Sequence, residues 1–477
     1  MTSSTARTVA WTALAIAVAV AITWWTRSQA LDLAYQVRAG DSMLSSGEVL
    51  RTDTFTYTVS GEPWLNQQWG AQVLFALVSR GGGWAALDLL RGLGVGVAVG
   101  ATVAACRARG VSPSRAAALA LAGWLVALPV MVQLRPQAIG VALFALAVWI
   151  VASRAEHPRR LWWIPAISLV WANVHGSFPL VLVLLGLAAV EDRKGSRDGL
   201  VRLGWVALAS VAVTFLTPFG PRVWPYVLDL ATDPVIADHV GEWGPPSLGS
   251  ATGVLFLASL AVVAILLVWW RRAVRFPDLL GLVLFAAMGC VAVRAAVWWA
   301  LVAPVILAGI LARVDTGEER AGERLGRVAG ALALGAGIVA VAMFVSGRGI
   351  DPATGGPAML SFAPDRLVQA LRSELPPDTH VFASQVHASW AEFAAPELRY
   401  AVDSRIELFP EDVWERYFAV SEARTGWEEL LAGDDVRGLL LDPDQASGLL
   451  DVIGTDPSWR LVLEDEGGAV YVRDGAA

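Results

Sequence analysis

The chain is 477 residues long, 56% hydrophobic and only 17% charged, with a mean hydropathy of +0.54. So apolar a composition excludes a soluble globular protein and leaves a polytopic α-helical membrane protein. The formal net charge of -7 comes mostly from the C-terminal segment, while arginines gather in short loops between apolar runs, a distribution that excludes nucleic acid as a partner.

Runs long enough to cross about 30 Å of hydrocarbon fall at 8–27, 84–105, 114–133, 137–153, 161–174, 177–190, 203–219, 251–270, 277–293, 296–312 and 328–346, which predicts about eleven transmembrane helices within residues 1–347. The first run follows a single arginine, Arg7, and lacks a small-residue cleavage site, so it reads as a retained helix. A polar loop at about 28–83 comes next and opens on Asp32, with Arg38 six residues on and Asp53 further along. A carboxylate at the lip of a bilayer is costly to keep and marks a candidate functional site.

Every second loop is basic, starting with Arg107, Arg109 and Arg115 and continuing with Arg154, Arg159 and Arg160. Short cytoplasmic loops carry the excess of Lys and Arg, so the N-terminus is placed in the cytoplasm and the C-terminal segment outside. Cys106 and Cys290 lie far apart at or in helices, and no disulfide is implied. A Pro- and Gly-rich linker at 348–363 then leads to residues 364–477, where apolar runs are short and charges frequent. Strands are predicted at His380–Ser384, Arg399–Asp403 and Arg437–Leu441, helices at Pro410–Val420 and Gly426–Ala432, and a hairpin from Trp459–Glu464 with Ala469–Arg473. The outcome expected is a small extracytoplasmic α/β domain.

Sorting the remaining polar residues by membrane face puts a group of them outside: Asp32, Arg38 and Asp53 in the first loop, Arg135 in the Leu134-Arg135-Pro136 turn, Asn173 and His175 in Trp171-Ala172-Asn173-Val174-His175-Gly176 at the end of the fifth run, Glu242 and Trp243 after the seventh, and Arg294 at the end of the ninth. Each has a plainer alternative: Arg135 and Arg294 can snorkel to headgroups, His175 can be a packing residue, and Asp53 a turn or cap residue. Arginine forks pair with phosphate oxygens, and a carboxylate can take a proton from an attacking hydroxyl. Together they suit glycosyl transfer from a lipid-phosphate-linked sugar, with Asp32 as base and arginines on the lipid phosphate.

The stretch Asp32 to Trp69, D-x5-R-x-G-x6-G-x5-D-x-F-T-Y-T-x2-G-x-P-W-x4-W, resembles the first external loop of bacterial membrane proteins of the GT-C glycosyltransferase superfamily, akin to protein O-mannosyltransferases and ArnT. Leu134-Arg135-Pro136, Asn173-Val174-His175-Gly176, Thr217-Pro218-Phe219-Gly220, Glu242-Trp243, Val293-Arg294 and Val402-Asp403-Ser404-Arg405 are similar to further pieces of that group. The resemblance implies a GT-C-like fold, a polyprenyl-phosphate sugar as donor, an envelope glycan, lipid or protein hydroxyl as acceptor, and a place in the bacterial plasma membrane. It makes Asp32 the catalytic base and Asp53 a second acid, with Arg38, Arg135, Asn173, His175, Glu242, Trp243 and Arg294 binding substrate. The sequence departs from the group at two points, Leu33 in place of a second acid beside Asp32 and Gln68 in place of an acid before Trp69. A divalent metal is compatible with the group, but no metal ligand and no other cofactor is assigned here.

The alternative function is a transporter or flippase of a lipid-linked or polar envelope precursor. Transporters of that kind carry internal repeats and charges deep in their spans, and the sequence is read as having neither. A third reading treats the external domain as a glycan-binding module on a membrane anchor, for which eleven spans are excessive. Asp403 and Arg405 are expected to pair with each other rather than to hold an acceptor, and the external tryptophans to pack in the core.

Overall fold

A computed structural model describes residues 3–232, 241–314, 335 and 348–473. The chain parts into two compact units, 1–26 with 87–347 and 27–86 with 348–477. By their contacts residues 27–86, which hold the first polar loop, cluster with residues 348–477.

In the first unit the helices are α1 (Ser3–Trp25), the later part of α3 (Trp69–Ala108), α4 (Pro113–Met131), α5 (Pro136–Ala152), α6 (Ile164–Ala172), α7 (Leu180–Asp192), α8 (Arg197–Val213), α9 (Val223–Thr232), α10 (Ala251–Trp269), α11 (Phe276–Val291) and α12 (Ala296–Val314). Among the described residues five stretches are long and apolar enough to cross a membrane, namely Thr5–Trp25, Trp69–Ala108, Pro113–Met131, Ala251–Trp269 and Val293–Val314, with Pro136–Ala152 and Phe276–Val291 as shorter apolar helices. The protein is therefore a multi-pass membrane protein, and the eleventh predicted run, 328–346, falls almost wholly outside the described residues.

Helix α12 is buried along nearly its whole length and packs on α4, α5 and α11. Gly123 of α4 makes this approach possible, since a Cβ there would lie 2.2 Å from the Ala300 carbonyl oxygen. Aromatic rings fill the space around Phe144, whose ring centre lies 5.1 Å from Trp298 and 6.0 Å from Trp171. Faces that meet lipid stay apolar, as at Leu89, Leu93, Val262 and Ile265.

The arginines of several basic loops converge at the end of α5 remote from Arg135. Arg109 and Arg275 reach Glu191 at 2.8 and 3.0 Å, Arg154 reaches Glu191 at 2.9 Å and Asp192 at 2.7 Å, and Arg313 pairs with Asp278. Inside α3, Asp88 and Arg91 form a buried pair at 2.5 Å, which corrects the reading that no run holds a charge. Arg91 also donates to the Thr26 and Val132 carbonyls at 2.9 Å, satisfying groups left over at the C-terminal ends of α1 and α4.

Non-helical backbone at Gly82 and Gly83 interrupts α3, with Gly83 at φ 60°, a conformation that costs glycine little. The earlier part of α3 and α2 (Leu33–Ser46) belong to the second unit. Its sheet runs in the order β2-β1-β3-β5-β4, with β1 (His380–Ala383) parallel to β2 (Arg399–Tyr400) and β3 (Val436–Leu441), and β5 (Gly468–Arg473) antiparallel to β3 and β4 (Trp459–Asp465). Helices α13 (Asp365–Glu374), α14 (Gln385–Ala394), α15 (Glu411–Ser421), α16 (Trp427–Gly433) and α17 (Ser447–Ile453) complete an α/β arrangement. Three of these, α13, α14 and α17, were not anticipated, and the strand expected over Arg399–Asp403 stops at Tyr400.

The first loop extends this sheet. Tyr57 donates its amide to the Tyr400 carbonyl at 3.0 Å, Arg399 reaches the Thr54 carbonyl at 2.6 Å, and the Tyr57 ring stacks on His380 with centres 4.3 Å apart. The segment expected as a linker is also ordered into the unit. Ser28 exchanges backbone bonds with Met359 and Ser361 at 2.7 and 3.0 Å, and Arg27 pairs with Asp351 at 2.6 Å.

Candidate functional site

In the second unit Asp32 stands at the N-terminal boundary of α2, half-buried, and its carboxylate does not cap the helix. One turn on, Tyr35 is buried, and burial first and the Asp32 charge second push its hydroxyl well above the usual range. Gln36 donates to the Tyr35 hydroxyl at 2.7 Å and to Gln68 Oε1 at 2.9 Å. Gln68, where the resemblance leads one to expect an acid, is thus an amide bonded to another amide. Leu33 stands beside Asp32, and among the described residues no group of three or more His, Cys, Asp or Glu side chains gathers.

Asp53 has a different setting from Asp32. It is 1% exposed and accepts from Arg405 Nη2 at 2.6 Å, from the amides of Phe55 and Thr56 at 3.3 and 3.0 Å, and from Thr56 Oγ1 at 2.8 Å. Arg405 is itself enclosed, paired with Asp403 as well, and its guanidinium carbon lies 4.6, 4.9 and 5.7 Å from the ring centres of Trp64, Phe55 and Tyr35. Asp53 is thus enclosed in an ion pair with Arg405, a setting unlike that of the half-buried Asp32.

Arg38 lies 4.3 Å over the Phe55 ring and donates to the Pro396 carbonyl at 2.9 Å, contacts that tie α2 to the C-terminal segment. Nearby Glu392 is fully buried, and burial first and the charge of Asp403 second hold its carboxyl well above the usual range. Sequence reading missed Glu392, whose signal was an acid within the apolar run Ala388–Ala395.

The first unit gathers another part of the expected set. Arg135, in the turn before Pro136, donates to Glu242 Oε2 at 3.0 Å. Arg294 lies with its guanidinium carbon 4.1 Å from the Trp243 ring centre, and the Val293 amide donates to the Gly244 carbonyl at 2.9 Å, joining the short turns Gly241–Trp243 and Val293–Ala295. His175 is buried, its Nδ1 accepts from the Ser177 amide at 3.2 Å, and burial with the Arg294 charge lowers its pKa to about 3. It is therefore a neutral imidazole carrying its proton on Nε2. Asn173 instead bonds its own helix, donating to the Leu169 carbonyl at 2.8 Å.

The arrangement in this unit is two arginines held by an acid, an indole and a turn, with a neutral histidine in electrostatic reach. It can hold an anion. The missed Asp88 and Arg91 were legible as an acid and a base three residues apart in an apolar run.

No protein-family model matches this chain, and no curated protein does. Solved structures are similar. The oligosaccharyltransferase AglB from Archaeoglobus fulgidus, solved with an inhibitory peptide and a dolichol-phosphate, aligns at a TM-score of 0.58 and 12% identity over 98% of this chain and 74% of its own. The arabinofuranosyltransferase AftD from mycobacteria aligns at 0.56 and 14% identity over 97% of this chain, which spans 40% of AftD's length. ArnT from Cupriavidus metallidurans aligns at 0.51 and 16% identity over 98% of both chains. At such identities likeness speaks for architecture rather than chemistry. Over nearly its whole length, this chain has a GT-C-like fold.

Proposed function

We propose that the protein is a glycosyltransferase of the outer face of the bacterial plasma membrane, moving a sugar from a polyprenyl-phosphate donor to a hydroxyl of an envelope glycan, lipid or protein. The observation that carries the reading is the fold, which the chain shares over 98% of its length with an oligosaccharyltransferase and with ArnT. In this reading the N-terminus is cytoplasmic, and the unit bearing the sheet lies outside.

Asp32 takes the proton of the acceptor hydroxyl as that oxygen bonds to the anomeric carbon. The bond from that carbon to the phosphate oxygen breaks, and its electron pair leaves with the polyprenyl phosphate, which gains one negative charge. Arg135 and Arg294 stabilise that charge as it develops, with Trp243 holding Arg294 by its ring face and the neutral His175 available as a donor through Nε2. Asp53, enclosed with Arg405, takes no proton in this scheme. The transporter reading gains nothing from Asp88 and Arg91, which satisfy each other and two helix ends.

The test is release of polyprenyl phosphate from a panel of polyprenyl-phosphate sugars by the full chain in lipid nanodiscs, with membrane extract as acceptor. Wild type should release it, and Asp32→Asn should lose turnover while keeping donor affinity. Absence of release from every donor would move the assignment to transport. Loss of donor binding in Asp32→Asn would make Asp32 structural.

A further inference from the structure

The Arg135–Glu242 pair sets a carboxylate on the guanidinium proposed to meet the lipid phosphate. Both Glu242 oxygens lie within reach of Arg135 Nη1, at 3.0 and 3.4 Å. Unlike the enclosed Asp53–Arg405 pair, this one is open to exchange, with side-chain exposures of 23% for Arg135 and 42% for Glu242. Carboxylate and phosphate oxygens use the same donors of a guanidinium. Neighbouring residues of one three-residue turn thus act in opposite senses, Trp243 supporting Arg294 and Glu242 engaging Arg135.

We infer that Glu242 is a resident counter-anion of the phosphate site, displaced from Arg135 by the donor and returning to it as the polyprenyl phosphate departs. The inference rests on the arginine roles proposed above and gives Glu242 a part opposite to that of a substrate ligand. The product is the more highly charged anion, so it holds the arginines harder than the donor does. A carboxylate tethered on the same turn competes for Arg135 at a high effective concentration. Its removal therefore tightens phosphate binding, and product binding most of all.

The experiment is an equilibrium titration of the full chain, in nanodiscs at fixed salt, with polyprenyl phosphate. Glu242→Gln and Glu242→Ala are compared with wild type, Arg135→Ala, Arg294→Ala and the double variant Arg135→Ala with Glu242→Gln. Competition between half-exposed charges of this kind is worth a few-fold, so Glu242→Gln and Glu242→Ala should each tighten binding about threefold. Arg135→Ala should weaken it, and the double variant should match Arg135→Ala alone, since without Arg135 there is nothing for Glu242 to withhold. Unchanged or weaker binding in both Glu242 variants, with Arg135→Ala still weakened, would overturn the counter-anion role and leave the arginine site standing. No effect of either arginine would overturn both.

Discussion

Replacing Arg405 by methionine removes the fork that two enclosed carboxylates depend on while keeping much of the side-chain volume. Asp53 would still accept from Thr56 and Phe55, and Asp403 would keep the amide of residue 405, at 2.7 Å, but each would lose its guanidinium partner. Removing one partner of a buried ion pair costs about 3–5 kcal/mol, because the charge left behind stays desolvated. Contacts with three aromatic rings are lost in addition, each worth about 0.5–1 kcal/mol or more. A total of roughly 5–8 kcal/mol is a large part of a typical domain's stability. At about 2–4 °C per kcal/mol for a unit of this size, the second unit should melt on the order of 10 °C lower.

The assay is thermal unfolding in detergent, followed by proteolytic protection of residues 33–46 and 399–408. Arg405→Lys should restore little, since a point charge cannot fork to both acids. Adding Asp53→Asn and Asp403→Asn to Arg405→Met should recover most of the loss, because no uncompensated charge then remains. A fall of only 1–2 °C in Arg405→Met, or no recovery in the triple variant, would refute the view that this pair joins the first loop to the C-terminal segment.

Three further outcomes follow from the first unit. His175 titrates at about 6.5 when unfolded and near 3 when folded, so protonation favours the unfolded state: its contribution is intact above pH 6.5 and is lost as pH falls toward 3, by about 2 kcal/mol at pH 5. Melting temperatures between pH 7.5 and 5 should therefore fall less steeply in His175→Gln, and an identical slope would contradict the buried, neutral imidazole. Gly123→Ala should part α4 from α12 and cost about 1–3 kcal/mol, since its Cβ would strike the Ala300 carbonyl and Pro304 Cγ at 2.2 and 2.6 Å; an unchanged melting temperature would disprove the close approach. Arg91→Leu should cost about 3–5 kcal/mol by stranding Asp88 and the Thr26 and Val132 carbonyls, with partial recovery on adding Asp88→Asn, and a stable single variant would show the pair to be dispensable.

The sequence by itself determined that the chain is a membrane protein, roughly where its apolar helices begin and end, and that a small domain with the strands His380–Ala383, Val436–Leu441 and the closing hairpin follows them. These are written in local periodicity and run length, which burial in lipid or in a sheet imposes on neighbouring residues. It also singled out Arg135, Glu242, Trp243 and Arg294, because charges at helix ends stand out against apolar runs. What only the tertiary structure decided is which of those charges meet. Arg405 reaches Asp53 across 352 positions of sequence, and that contact encloses one of the two expected acids in an ion pair while Asp32 stays half-buried. It also joined residues 27–86 to the C-terminal segment. No local pattern carries such information: the cost of burying a carboxylate depends on the partner that offsets it, and that partner is set by the fold.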